Sequence, residues 1–427
     1  MFIDGEIMSL ENNNSNKKVS IAVPFQQHSF RAAKGFIADD LMNTYYTSVY
    51  NDGKGIYRLL KIVLPKDLVI RMNGRNDKSI TPYVNKYAEF LGLLYLAAFR
   101  LPVLSKYTTQ IRNRLFRKFG RKVASACVKK GEDIVLAYDT QAYDLFSELK
   151  KKNSKTIKIL DMASTSALKI QEIVREEQNK KLPFSESLER HRIAYNDEKC
   201  KKYKEEIELA DYLLVPSGFV KNSLLEIGVS SKKILYLPHG VDVKMFMPNY
   251  KEYVPGKRLK FLFVGRVEAA KGIYYILEAF RQLQDLNIEL LVVGDMMNQK
   301  EQLEAYTANA TFVGLKRRDE MPEFYKEADV FVLSSLWEGS SLSMLEALAS
   351  GLPVIASKYS CAPEVVSNCK EGFVVEPRNI EELKEKIVWY YQNADKIPEM
   401  SKQARKTAEN YTWEQYGNSI CNIVRKI

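Results

Sequence analysis

Short apolar runs alternate with amphipathic stretches along the second half of the chain. Leu259–Gly265, Ile288–Gly294, Thr311–Gly314, Asp329–Ser334, Pro353–Ser357 and Gly372–Val375 read as strands. They are almost wholly apolar, the pattern of strands covered by helices on both faces. Residues 272–284, 299–307, 319–327, 342–350 and 379–394 carry helical periodicity between them. This alternation predicts βαβ units and a parallel sheet. The first half is less regular. Val19–Val23, Asp133–Tyr138, Thr156–Leu160 and Tyr212–Pro216 read as strands, with Ile234–Leu237 a shorter candidate, and long helical stretches separate them. Pro238, Gly240, Pro248 and Pro255 break the segment 238–257. The expected organisation is an α/β chain with two domains, 1–240 and 241–427, hinged there. Open parallel sheets bind ligands at the carboxyl ends of their strands, so two of them facing each other predict one deep cleft.

Length and composition agree. The 427 residues are 46% hydrophobic and 27% charged, which excludes a disordered chain, a collagen and a coiled coil and allows two large cores. Five cysteines, with no C-x-x-C pair, argue against a disulfide framework or zinc ribbon and for a reducing, cytoplasmic setting. Three histidines argue against a multi-histidine metal centre, so no metal is expected. Residues 1–17 read as a loose polar leader. The longest apolar run, Phe90–Phe99, is half a membrane span; it is too short to cross a bilayer but long enough to lie on one.

Charge is localised. Lys plus Arg number 64 against 53 Asp plus Glu, a net charge of +11. Residues 90–131 hold ten of the basic residues and no acidic one, so the rest is close to neutral. Within that segment Ile111, Leu115, Phe116, Phe119 and Val123 share a helical face flanked by Arg112, Arg114, Arg117, Lys118, Arg121 and Lys122. This is an amphipathic basic helix. Its charges suit anionic lipid at the inner face of a membrane; no nucleic-acid motif accompanies them, so no nucleic-acid partner is expected. The competing reading packs the apolar face on the protein and leaves the charges solvated.

The chemistry concentrates in 330–357, VFVLSSLWEGSSLSMLEALASGLPVIAS. A buried strand ends near Ser334, Trp337–Ser341 turn, and a helix starts near Leu342 with Ser340 or Ser341 as its N-cap. A helix start of this kind is a phosphate site. Carboxylates beside it, Glu338 and Glu346, fit as acceptors for sugar hydroxyls: Glu346 for a ribose and Glu338 for a hexose. A second run, FLFVGRVEAAKG at 261–272, puts Gly265 at a strand end, Arg266 after it and Lys271 at the next helix. Two such cations clamp a diphosphate.

Together these pieces resemble the retaining glycosyltransferases of family 4, which have the GT-B fold of two Rossmann-like domains. The carriers are LFVGR-x4-KG at 262–272, the E-x7-E pair Glu338 and Glu346, and the following ASGLPVIAS. LPHGVD at 237–242 and ELADYLLVPSGFVKNSLLEIGV at 208–229 add to them. The resemblance covers roughly 155–425. It implies metal-independent, retaining transfer of a hexose from a UDP- or GDP-linked sugar, without a further cofactor, to a saccharide or lipid-linked acceptor of a surface polysaccharide or glycolipid. Arg266 and Lys271 would hold the diphosphate, Glu338 the sugar and Glu346 the ribose, with Gly339, Ser340, Ser341 and Leu342 lining donor and phosphates. The leaving phosphate itself would take the acceptor proton. The last helices, near Trp413 and Tyr416, would cross back onto the first domain.

Two departures stand out. Ser340 and Ser341 replace the Phe and second Gly of the family's E-G-F-G, and Ser166 falls where many relatives carry a histidine. The acceptor side would then be built from Ser166 and from 24–41, where His28, Arg31, Lys34 and Gly35 are candidates. His28 or His191 would substitute for the histidine if the fold brings it to the cleft; His239, in the hinge motif, reads as structural. The departures keep two rivals open: a non-catalytic sugar-nucleotide-binding partner subunit, and a GT-B-fold epimerase or phosphorylase.

Overall fold

The computed structural model describes residues 17–427 apart from 27, 64 and 298. All but the last residue of the leader expected at 1–17 therefore lies outside the described residues. Strands β1 (Val19–Ala22), β2 (Met42–Thr47), β3 (Val84–Lys86), β4 (Ile134–Tyr138), β5 (Ile157–Asp161), β6 (Tyr212–Val215) and β7 (Ile234–Tyr236) form one sheet, ordered β3-β2-β1-β4-β5-β6-β7. Strands β8 (Leu259–Val264), β9 (Ile288–Val293), β10 (Ala310–Gly314), β11 (Val330–Leu333), β12 (Val354–Ser357) and β13 (Gly372–Val375) form a second, ordered β10-β9-β8-β11-β12-β13. Neighbouring strands are parallel throughout. Both orders reverse beside the first strand of the sheet, so the loops leaving β1 and β4, and those leaving β8 and β11, diverge and open a crevice.

The first sheet contains two strands that the apolar pattern does not show. In β2, MNTYYT, the polar groups of Thr44 and Tyr46 face inward because a buried carboxylate satisfies them: Glu132 accepts from Tyr46 OH at 2.8 Å and Thr44 Oγ1 at 3.3 Å. β3 has three residues and lies at the sheet edge.

The halves are tied together at several points. Ile170, Ile173 and Val174, on the helix Ala167–Asn179, belong to the same core as β8 and β11. The last helix, Trp413–Lys426, returns to the first sheet, where Tyr416 and Ile420 share a core with Val19 and Ile21. It lies on the helix Ser29–Ala38, and a Cβ on Gly35 would stand 2.7 Å from Gly417 Cα. Gly35 thus serves helix packing, which corrects its reading as an acceptor contact.

The basic segment forms the helix Thr108–Lys130. Leu115, Phe119 and Val123 are buried in the first domain's core, while Arg114, Arg117, Lys118, Arg121 and Lys122 are exposed and Arg112 is half-buried. Leu115, Phe119 and Val123 of the apolar face are thus used within the protein, while Ile111 and Phe116 are half-buried.

Candidate functional site

The crevice between β8 and β11 gathers the residues of both sequence runs. β8 ends and gives way to Gly265 and Arg266; a 3-10 turn, Ala269–Lys271, leads to Gly272. Gly272 has φ 66°, and a Cβ there would lie 1.8 Å from Ser334 O, so only glycine fits this junction with β11. The turn presents Lys271, whose Nζ is 2.5 Å from Glu338 Oε1; Ser335 Oγ donates to the same oxygen at 2.8 Å. The Glu338 carbonyl accepts from Thr165 Oγ1 of the first half at 3.2 Å. A Cβ on Gly339 would stand 2.1 Å from Ala163 O, so backbone meets backbone across the cleft there.

The helix Leu342–Ala349 begins at Ser341, which is left-handed (φ 44°, ψ 60°) and makes no side-chain cap hydrogen bond. Its Oγ is buried without a partner among the described residues. This corrects the expected serine cap: Ser341 occupies the N-cap position without capping, and Ser340 accepts from Cys361 Sγ through its carbonyl. Met344 N–H turns back to the Ser341 carbonyl, and no side chain caps the N–H groups of Leu342 and Ser343, as an anion site requires. One turn on, the carboxylate of Glu346 is nearly buried. Tyr325 OH donates to it at 3.0 Å, and Arg318 Nη2 lies 3.3 Å away. Burial raises its pKa against the pull of Arg318 and Tyr325.

Two residues from the first half, the cation Arg190 and the neutral His191, complete this wall. Arg190 and His191, on the helix Glu189–Ala194, meet Glu268 of the second half. Glu268 is 1% exposed; His191 Nε2 lies 3.4 Å from it, Arg266 Nε 3.2 Å, and Arg190 pairs with it too. The His191 ring stands edge-on to Trp337 at 5.1 Å. Burial first, then Arg190, Arg266 and Lys271, push its pKa down to about 4, so the ring is neutral at pH 7. The fold thus brings His191 to the cleft. Arg190 and Glu268 were missed because an arginine after a 3-10 turn and a glutamate inside a loop carry no periodic signal.

At the carboxyl ends of β1 and β5 a second polar group forms. His28 Nε2 is 2.8 Å from Asp161 Oδ2, and the His28 and His239 rings are 4.4 Å apart. Tyr138 and Tyr416 flank His28, and their buried hydroxyls have no partner among the described residues. Burial lowers the His239 pKa to about 3. Among the described residues His28, Asp161 and His239 are the group whose potential metal-ligating atoms come within 4.8 Å of one another. Arg31 lies over the Trp413 ring at 5.1 Å; burial lowers its pKa, Asp242 opposes this and Arg318 adds to it. Arg31 is therefore within electrostatic reach of both Asp242 and Arg318. Lys34 is paired outward with Asp77. Ser166 is fully buried as the cap of the helix Ala167–Asn179, accepting from Lys169 N and donating to Ser223 O. Its hydroxyl is spent on the fold, which corrects its reading as an acceptor contact.

Residues 250–408 match the family described as glycosyl transferases group 1. The chain is 28% identical over 226 residues to the sulfoquinovosyl transferase SQD2 of Arabidopsis thaliana, covering 50% of this chain and 44% of that one. It is 35% identical over 172 residues to the UDP-Gal:alpha-D-GlcNAc-diphosphoundecaprenol alpha-1,3-galactosyltransferase of Escherichia coli, covering 36% of this chain and 44% of that one. The chain spans about half the length of the curated relatives it matches. Sucrose-phosphate synthase of Thermosynechococcus elongatus shares the fold, with a TM-score of 0.69 at 16% identity, over 96% of this chain and 99% of that one. The chain has the GT-B fold, and its residues 250–408 are similar to the glycosyl transferases group 1 family.

Proposed function

We propose that this chain transfers a hexose, with retention, from a nucleoside-diphosphate sugar to a saccharide or lipid-linked acceptor. The observation that carries the reading is the Lys271–Glu338 pair at the β8/β11 crevice, beside the uncapped start of the helix Leu342–Ala349. A cation, a carboxylate and free backbone donors converge where a sugar diphosphate needs all three.

In this reading Arg266 and Lys271 hold the diphosphate, with Arg190 beside them. Gly339, Ser340, Ser341 and Leu342 offer backbone to phosphates and sugar. Glu338 accepts from the hexose hydroxyls. Glu346, steadied by Tyr325, accepts from the ribose hydroxyls. The bond from the anomeric carbon to the diphosphate breaks, and the nucleoside diphosphate leaves with the bonding electrons. The acceptor oxygen bonds to that carbon on the same face, and its proton passes to a leaving phosphate oxygen. The cations and the helix start stabilise the charge that develops there, a contribution worth about 3 kcal/mol for each well-placed donor. His191, neutral and held by Glu268, is a positioning residue at this wall. His28 and Arg31 are the acceptor-side candidates that remain. The Escherichia coli relative is named for a UDP-linked donor and a diphosphoundecaprenol-linked acceptor, which supports testing that pair first.

The test is release of nucleoside diphosphate from UDP- and GDP-hexoses in the presence of simple glycosides and of a lipid-diphosphate sugar, with and without a chelator. Acceptor-dependent release, unaffected by the chelator and giving a product of unchanged anomeric configuration, is expected. Binding without release, or release that needs inorganic phosphate instead of an acceptor, would contradict the proposal.

A further inference from the structure

We propose that the face carrying the helices Ile56–Val63, Glu89–Ala98 and Pro102–Ser105 docks on an anionic lipid bilayer. The inference rests on this surface alone and is independent of the transfer chemistry.

The helix Glu89–Ala98 continues into Phe99, and every residue from Phe90 to Phe99 is apolar or glycine. A helix apolar on all sides belongs in a core or in lipid. This one is only half-covered: between Phe90 and Ala97, Gly92 is the single buried residue. Phe90 is 74% exposed, Phe99 62% and, beyond it, Val103 77%.

The helix Ile56–Val63 has two apolar faces. Tyr57 and Leu60 point inward to a small core with Met72, Leu93 and Leu96, which sets this helix beside Glu89–Ala98. Ile56, Leu59 and Ile62, spaced three apart, share the other face and are exposed, Ile62 at 80%. Among the described residues nothing covers them. Apolar surface grouped in this way marks an interaction site rather than ordinary scatter.

Charge selects the partner. Residues 53–131 hold 18 Lys and Arg against three Asp and Glu. Two of those three acids, Asp77 and Glu89, are paired with Lys34 and Lys86. Arg58, Lys61, Arg100, Lys106 and the outer row of the helix Thr108–Lys130 are exposed beside the apolar patch. Protein interfaces are poor in lysine at their centres, whereas an anionic bilayer takes apolar side chains and a basic surround together. Among the described residues no helix is long and apolar enough to cross a membrane, so contact is from one side. The insertion is thus assigned to the helices before the basic helix, and the basic helix supplies the electrostatic rim.

The experiment is flotation of the full chain with phosphatidylglycerol-containing vesicles and with pure phosphatidylcholine vesicles, at low and at high salt. Three variants accompany the wild type: Leu59→Asp/Ile62→Asp, Phe99→Asp/Val103→Asp and Arg114→Glu/Arg117→Glu. Each changes exposed side chains, and an unchanged thermal midpoint confirms folding. The wild type is expected to float with anionic vesicles and far less with neutral ones. Each apolar variant is expected to lose partitioning by about tenfold or more, the effect of losing one or two buried apolar side chains. The charge variant is expected to lose it mainly at low salt. The proposal is overturned if the wild type stays unbound, if the apolar variants float as the wild type does, or if the patch instead joins two copies of the chain that separate in those variants.

Discussion

The Nζ of Lys271 lies 2.5 Å from Oε1 of Glu338, joining the loop after β8 to the loop after β11. The pair is largely shielded, with side-chain exposures of 23% and 12%, so each ion's pairing matters more than at an open surface. Glu338→Gln keeps an acceptor for Ser335 but loses the charge that orients Lys271. Turnover should fall about a hundredfold to a thousandfold with the fold intact. Steady-state rates beside circular dichroism check this.

Glu346 should show a trade between stability and function. Burial raises its pKa in the folded chain, so above the ordinary carboxyl range the fold carries an ion it disfavours. That penalty is absent at acid pH and present at neutral pH. Glu346→Gln should therefore raise the thermal midpoint at pH 7, with a smaller gain at pH 4, while weakening nucleotide binding. A lower midpoint at pH 7 would show that the Arg318 contact outweighs burial.

The two depressed histidines predict acid sensitivity. His191 and His239 are pushed down to about 4 and about 3, below the ordinary histidine value, so the unfolded chain takes up their protons first. Their stabilising effect is complete above that ordinary value, about 6.5, and is lost as pH falls toward 4. Each contributes a slope of up to about 1.4 kcal/mol per pH unit in that window. Glu206, raised to about 7 by burial, acts in the opposite sense, so the difference between variant and wild type is the clean readout. His191→Asn should lose less stability than the wild type between pH 6.5 and 4.5 in urea titrations.

Ser341 holds a left-handed backbone and a partnerless buried hydroxyl at the helix start. Ser341→Gly removes both costs and should stabilise the chain by about 1 kcal/mol. Loss of stability on that change would show that the hydroxyl has a partner in solution.

The second sheet was legible because its strands are buried on both faces: β8, β9 and β11 fall within a residue of the runs that predict them. β2 was not, since Glu132 lets the polar groups of Thr44 and Tyr46 face inward and erases the alternation. The meeting of Lys271 and Glu338 could be anticipated because both follow strand ends of one sheet, which local pattern marks. Gly35 and Ser166 misled for a related reason. A glycine in a helix or a serine before one permits close approach of a ligand or of another helix, and only the Gly417 backbone and Ser223 decide which. Arg190, His191 and Glu268 meet across the interface, where no local pattern reports on contact.

The central claim is a nucleotide-sugar site between β8 and β11. Thermal stabilisation by UDP, GDP, ADP and their common sugars tests it most directly, with Arg266→Ala and Glu346→Ala beside the wild type. A ligand at one hundred times its dissociation constant adds about 2.7 kcal/mol. One nucleotide family should raise the wild-type midpoint, and both variants should lose the shift. If no nucleotide moves the wild type, or if the variants respond as it does, the site is not where Lys271 and Glu338 place it.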